Sequence, residues 1–419
     1  MTRFRFVHAS DLHLDTPFEG LSRVAAHVEQ ALIGASMDAF DRIVAKAIEV
    51  EAAFVLLAGD LYDGSDPSPR AQLHLHHGLE KLSREGICSF VVHGNHDPDP
   101  IGGMTAITTW PDEVKIFGTG AAESVPVLVD GENVATVHGV SLATEKVDFA
   151  RVFARVEGPG LHIGLLHCNV VPDASVPSIV TPDALERVGC QYWALGHRHE
   201  HQEIVRDGCL IVYPGVPQGR QLRSTERGAK GAVLVEAEGD RILRLERFFT
   251  DSIRFLEVKV EIDELPDLAA LRSLLSDEVA RTRQDHDGKS LVIQGVLEGR
   301  GDLCEVLARP QALDGLLAEL RDHQGKRMPF VWWAGLSDRT RPVIDFDQLA
   351  ERGDFTGELI RHARGLEEDA EGLGKLLEGA AEGPGLDVAR LLSDDGERRE
   401  VFEEAIRLAV HLTLERQGE

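Results

Sequence analysis

The chain has 419 residues, 43% of them hydrophobic and 27% charged, with a formal net charge of −27. At roughly 150 residues per domain, this predicts two or three domains with room for a sizeable core. The acidity excludes attraction to nucleic acid or anionic lipid through a global positive field, so a nucleic-acid role would need a local basic patch or bound cations. Five cysteines without a CxxC pair speak against a disulfide framework and for a reducing compartment. The opening MTRFRFVHASD has no signal-peptide core, and no apolar run reaches the roughly 18 residues of a membrane span. A soluble, cytoplasmic protein is expected.

Apolar runs read as strands at 3–11, 52–60, 88–97, 133–140, 161–167, 192–197, 209–215 and 231–240. Between them, residues 37–51 place Phe40, Ile43, Val44, Ala47 and Ile48 at helical spacing, and 69–85 opens on Pro69, suited to a first helical turn. Strands alternating with helices predict an α/β layered sandwich over residues 1–250. A half-exposed strand (253–266), a helix (267–283), a strand (289–299) and a helix (310–323) then predict a small α+β domain across 253–345. Residues 346–419 read as mostly helical, broken by glycines at 372, 374, 379, 383 and 385.

The strand ends carry the chemistry. SDLHLD offers Asp11 and His13, GDLYDG offers Asp60 and Asp63, GNHD offers Asn95, His96 and Asp97, LLHCN offers His167, and GHRHEH offers His197 and His199. Ligand sites of α/β sheets gather outside the carboxyl ends of strands, so these clusters are expected to converge. Carboxylate, imidazole and amide oxygens without cysteine suit manganese, iron, zinc or magnesium rather than a structural zinc. If the backbone is extended, the i, i+2 pairs Asp11/His13 and His197/His199 each project to one side. Asp11, His13, Asp60, Asn95, His167, His197 and His199 are seven ligands, too many for one open catalytic metal but suited to two. A pair of metals serves phosphoester hydrolysis by lowering the pKa of a bridging water and clamping phosphate oxygens. His96 is then free to serve the leaving group, and Asp97 to orient its imidazole.

The ordered set DLH, GDLYD, GNHD, a strand ending in His167, and GHRH resembles the calcineurin-like metallophosphoesterase family over about residues 4–250. The resemblance implies a metallophosphoesterase sandwich of two mixed sheets flanked by helices. It puts Asp11, His13, Asp60 and His199 on one metal, and Asp60, Asn95, His167 and His197 on the other, with His96 catalytic and Asp97 its partner. HASDLHLDTPFEGL, GDLYDGSDPSP and YPGVPQGR are similar to the DNA-repair exonuclease branch, and DLHLDTPFEGL and QGR to its YhaO-like rather than SbcD-like members. That branch implies a capping domain at 253–345, a C-terminal helical segment able to dock an SMC-like coiled-coil ATPase, DNA as substrate, manganese foremost among the cations, and often a homodimer.

Other residues carry two readings each. Arg220, Arg223, Arg227 and Lys230 follow YPGVPQG and form either a phosphate-backbone track or an ordinary solvated loop, with Lys326 and Arg327 a weaker second candidate. Tyr62 either stacks on a terminal base or packs in the core. Asp15 and Asp63 are either hydrogen-bond acceptors for ligand imidazoles or surface carboxylates. His8, His138 and His162 read as core histidines. The leading expectation is a manganese-dependent 3′-to-5′ DNA exonuclease with endonuclease capacity. Against it stand a small-molecule phosphoesterase of the same family and a non-catalytic scaffold protein with an inert site, whose signature would be lost ligands.

Overall fold

The alternation in RFRFVHA builds two layers at once. In β1 (Arg3–Ala9), Phe4 and Phe6 enter one core while Val7 and Ala9 enter another. In β2 (Phe54–Ala58), Phe54, Leu56 and Ala58 join the first core, and Val55 and Leu57 the second. The computed structural model describes residues 2–16, 18, 25–64, 68–97, 109–141, 152–171, 180–263, 265–286, 288–324, 328–343 and 345–368, with 405, 406, 408–410, 412 and 413. The chain divides into two compact units, Met1–Gly299 with Val306–Arg339, and Arg300–Glu305 with Thr340–Glu419.

The first unit contains two mixed six-stranded sheets. The remaining strands are β3 (Cys88–Val92), β4 (Val114–Ile116), β5 (Glu123–Val129), β6 (Glu132–Gly139), β7 (Leu161–His167), β8 (Tyr192–Gly196), β9 (Gln202–Arg206), β10 (Cys209–Tyr213), β11 (Gly231–Glu238) and β12 (Arg241–Phe249). One sheet runs β12-β11-β1-β2-β3-β4 and the other β5-β6-β7-β8-β10-β9. In the first, β1 to β4 are parallel and the β1/β11 and β11/β12 pairs antiparallel; in the second, β6-β7-β8-β10 are parallel and the outer pairs β5/β6 and β9/β10 antiparallel. The inner faces share one core, in which Phe6 stacks on Phe54 at 4.8 Å and meets the edge of Tyr192 at 5.3 Å. Helices α1 (Ala26–Glu49) and α2 (Pro69–Arg84) cover the first sheet through Phe40, Ile43, Leu75 and Leu79. Pro69 sits in the first turn of α2, whose Ser68 cap accepts from Ala71 N at 3.1 Å. Helix α3 (Pro182–Val188) covers the second sheet through Leu185 and Val188, against Trp193 and Tyr213.

A third sheet, β13 (Ile253–Glu261), β14 (Ser290–Glu298) and β15 (Val331–Asp338), is wholly parallel, with the helix Leu268–Asp285 crossing between its first two strands. Its Phe255, Val292, Phe330 and Trp332 pack against Val28, Leu32 and Ala35 at the start of α1. Helix α1 therefore divides its apolar residues between two cores. In the second unit, the helix Phe355–Glu368 opens on Asp354, which accepts from Gly357 N at 3.1 Å. The glycine breaks at 372–385, most of residues 369–419, and Lys326 and Arg327 lie outside the described residues. No described helix is long and apolar enough to cross a membrane.

Candidate metal centre

Five parallel strands from two sheets end on the same rim. β1 delivers Asp11 and His13, β2 delivers Asp60, β3 delivers Asn95 and His96, β7 ends in His167, and β8 leads to His197 and His199. Asp11, His13, Asp60 and His167 are buried; Asn95, His197 and His199 are half-buried. His167 Nε2 lies 3.3 Å from Asp60 Oδ2 and 3.0 Å from Asn95 Oδ1, and His197 Nδ1 lies 3.1 Å from the same Asn95 oxygen. His13 Nε2 is 3.9 Å from Asp60 Oδ2, and His199 Nε2 is 3.9 Å from Asp11 Oδ1. Ligand atoms of Asp11, His13 and His199 lie within 4.8 Å of one another, as do those of Asp11, Asp60 and His167. The structure thus brings all seven expected ligands into one cluster.

The pairs do not converge through a strand pleat, as an extended backbone would have them do. Asp11 and His13 follow the end of β1 with φ of 54° and 41°, Asp60 has φ 50° and His197 φ 103°. Non-glycine residues in this region cost about 1–3 kcal/mol each and need a surrounding that fixes them. Backbone bonds supply part of it: Asp11 N donates to Gly59 O (2.9 Å) and His13 N to Asp60 O (3.0 Å). Asp60 Oδ1 accepts from His96 N (2.9 Å), and Asp11 Oδ1 from His197 N (3.1 Å). Gly94 is required by proximity, since a Cβ there would lie 2.2 Å from Asp60 Oδ1.

Burial raises the Asp11 carboxyl, helped by the neighbouring charge of Asp60. Burial works the same way on Asp60, but the hydrogen bond and charge of His167 overcome it and hold that carboxyl low. Burial works to lower His167, yet Asp60 and Asp11 carry it up to about 9. The His167 imidazole thus shares its proton with the buried carboxylates. His13 is driven well below its usual value by burial and by the Arg220 charge, and neither of its buried ring nitrogens has a hydrogen-bond partner. A neutral imidazole with unused nitrogens, beside two carboxylates and an amide oxygen, fits a divalent cation. Asp11, His13, Asp60, Asn95, His167, His197 and His199 would hold such ions.

His96 stands at the rim with 48% of its side chain exposed, its Nδ1 2.6 Å from Asp63 Oδ1. The partner is therefore Asp63 and not Asp97. The Asp97 carboxylate is turned to backbone and accepts from Asp60 N (3.1 Å), Leu61 N (2.8 Å) and Gly94 N (2.7 Å), locking two motif loops together. Asp15 instead meets Ser68 and Arg70. Tyr62 packs in the core beneath α1 and α2, 8% exposed, so it is not displayed for base stacking. The basic residues do not form a continuous track. Arg220 is buried, with Nη1 3.7 Å from Asp63 Oδ2. Arg227 pairs with Glu257 at 2.8 Å, and Lys230 is buried and donates to Thr225 O. Arg223 is exposed. The positive charge follows local pairing, because a buried guanidinium or ammonium needs a partner more than an exposed one does.

Glu226 escaped the sequence reading. It is 1% exposed and accepts from His199 Nδ1 (2.9 Å) and Arg220 N (2.6 Å). Burial would raise its carboxyl, but His199 and Arg220 keep it low. The YPGVPQGR phrase explains how this loop reaches the site. Gly215 (φ 81°) passes so close to the GHRH turn that a Cβ would sit 2.9 Å from His199 O. Beyond it, Gln218 binds Ser252 N (2.8 Å) and Ile253 O (2.6 Å) at the start of the third sheet.

Comparison with known proteins agrees with this architecture. Residues 4–201 match the family described as calcineurin-like phosphoesterase, and residues 255–341 match the middle domain of the metallophosphoesterase YhaO. Residues 4–201 therefore form a calcineurin-like metallophosphoesterase domain. It is 29% identical over 424 aligned positions to the uncharacterized metallophosphoesterase YhaO of Bacillus subtilis, covering 100% of this chain and 98% of that protein. It is 24% identical to the DNA double-strand break repair protein Mre11 of Sulfurisphaera tokodaii, over 74% of this chain and 77% of that one. With one component of the nuclease SbcCD of Bacillus subtilis, the identity is 26% over 56% of this chain and 61% of that one.

Proposed function

We propose that the protein is a two-metal phosphodiesterase that cleaves DNA, a 3′-to-5′ exonuclease with endonuclease capacity acting in DNA repair in the cytoplasm. The observation that carries the reading is His96, held at the open rim of the seven-ligand cluster by Asp63 at 2.6 Å, beside the buried guanidinium of Arg220. Bound divalent cations, manganese foremost, would supply Lewis acidity and neutralise phosphate charge. The protein's own groups do the rest. Asp63 accepts from His96 Nδ1, which leaves Nε2 for the proton required by the departing oxygen. The buried Arg220 guanidinium sets positive charge beside Asp63 and His13, where phosphate charge would gather. Exposed Arg223 supplies a further contact to the DNA backbone. The relatives named as DNA-repair and nuclease proteins support DNA over a small ester. The SbcCD relative, one component of a larger nuclease, supports an SMC-like ATPase partner, and the five free thiols fit a reducing compartment.

The test is incubation of the purified protein with linear duplex DNA, single-stranded DNA and bis-p-nitrophenyl phosphate, each with Mn2+ or Mg2+. Release of mononucleotides from 3′ ends, lost in His96→Ala, is expected. Hydrolysis of the small ester alone, with both DNA forms untouched even when an ATPase partner is supplied, sinks the nuclease reading. Absence of any cation uptake in excess Mn2+ sinks the two-metal reading.

A further inference from the structure

Glu226 is a fully buried carboxylate, 1% exposed, in a short turn (Ser224–Glu226) that contributes no expected ligand. A carboxylate is not buried cheaply, so what it binds reveals its role. Its Oε1 accepts the Nδ1 proton of His199 at 2.9 Å, which turns the other nitrogen of that ring toward Asp11, 3.9 Å away. Its Oε2 accepts from Arg220 N at 2.6 Å, and Arg220 Nη2 lies 3.9 Å from Oε1. Arg220 in turn reaches Asp63, 3.7 Å from Nη1, and Asp63 holds His96. The loop is drawn tight at this point: a Cβ on Gly219 would lie 2.4 Å from Glu226 O, so only glycine lets the two segments pass.

We propose that Glu226 is a positioning residue that sets the tautomer of His199 for metal binding and, through Arg220, fixes the Asp63–His96 pair at the same time. The inference rests on the two-metal reading. A hydrogen-bonded carboxylate behind a metal-binding imidazole makes that ring a better donor, and its removal typically costs about 10- to 100-fold in metal affinity. Because the same carboxylate grips the backbone of Arg220, its loss is also expected to loosen the leaving-group side of the site. Neutralising Glu226 should thus lower metal affinity and kcat together, while KM for a small ester changes little.

Two measurements test this. In the metal-free, unsubstituted protein, long-range 1H–15N spectra of the histidine rings should show the His199 proton on Nδ1, slow to exchange. A proton on Nε2 with a bare Nδ1 overturns the proposal whether or not the protein is a nuclease. In Glu226→Gln, with folding checked by circular dichroism, calorimetric titration with MnCl2 should show about 10- to 100-fold weaker binding. Unchanged Mn2+ affinity in that folded variant overturns it. Failure of the unsubstituted protein to bind Mn2+ overturns the two-metal reading, and with it the metal half of this proposal; the ring spectra still decide the orienting half.

Discussion

The two walls of the site are held in place differently. The strand-end wall, Asp11 to Asp97, hangs from parallel strands buried on both faces, and its side chains are fixed by backbone amides. The loop wall, Gly215 to Glu226, is fixed largely by side chains: Glu226 on His199, Arg220 toward Asp63, Gln218 on the third sheet. A wall locked by backbone tolerates little change and carries the ligands. A wall held by side chains answers to single substitutions, one contact at a time.

The comparison makes ordered predictions. Asp60→Asn should have the largest effect, since Asp60 meets His13, His167 and the His96 amide at once. Loss of calorimetric Mn2+ binding is expected, with turnover below that of His96→Ala. His96→Ala should cut kcat by about 10²–10⁴-fold while leaving the Mn2+ stoichiometry of the folded protein intact; an altered stoichiometry would make His96 a ligand. On the loop wall, Arg220→Ala should lower kcat by roughly 10²-fold without abolishing metal binding. Equal losses in both would erase the distinction between the walls.

Gly94→Ala sharpens the backbone half of the comparison. Its Cβ has no room beside Asp60, so metal-free stability in urea should fall by about 1–3 kcal/mol. The smallest effect is expected from exposed Arg223: Arg223→Ala should reduce the salt dependence of DNA binding by about one ion and leave kcat alone. Remote from the site, His138 offers a pH test. Burial and then the His162 charge lower its pKa from 6.5 to about 4. The unfolded chain takes up the proton below about 6.5 and the folded one only near 4, so its stabilising contribution is complete above that window and is lost as pH falls through it. His138→Gln should flatten the drop in urea midpoint between pH 7 and 5.

The strands most plainly legible in the sequence were those sealed on both faces. β2, β7 and β8 are buried throughout, and β2 and β8 read as unbroken apolar runs. The four edge strands of the two six-stranded sheets, β4, β5, β9 and β12, gave no such signal, because one side of each meets solvent and its residues mix polar with apolar. β15 was missed as well, although its first residues are buried. The same divide runs through the site. Residues that stand directly at strand ends were visible. The Asp63–His96 pair was misassigned to Asp97, since adjacency in sequence says little about which carboxylate faces a ring after a turn.

By itself, the sequence determined the donor chemistry: which oxygens and nitrogens close the apolar runs, in what order, and that no thiol takes part. Only the tertiary structure decided who serves whom. It turned Asp97 inward onto three amides, gave His96 to Asp63, sank Tyr62 into the core, and brought Glu226 behind His199 from 27 residues away. The reason is physical. A donor's identity is a property of one residue, whereas a hydrogen bond or a buried charge exists only between groups whose positions depend on the whole fold.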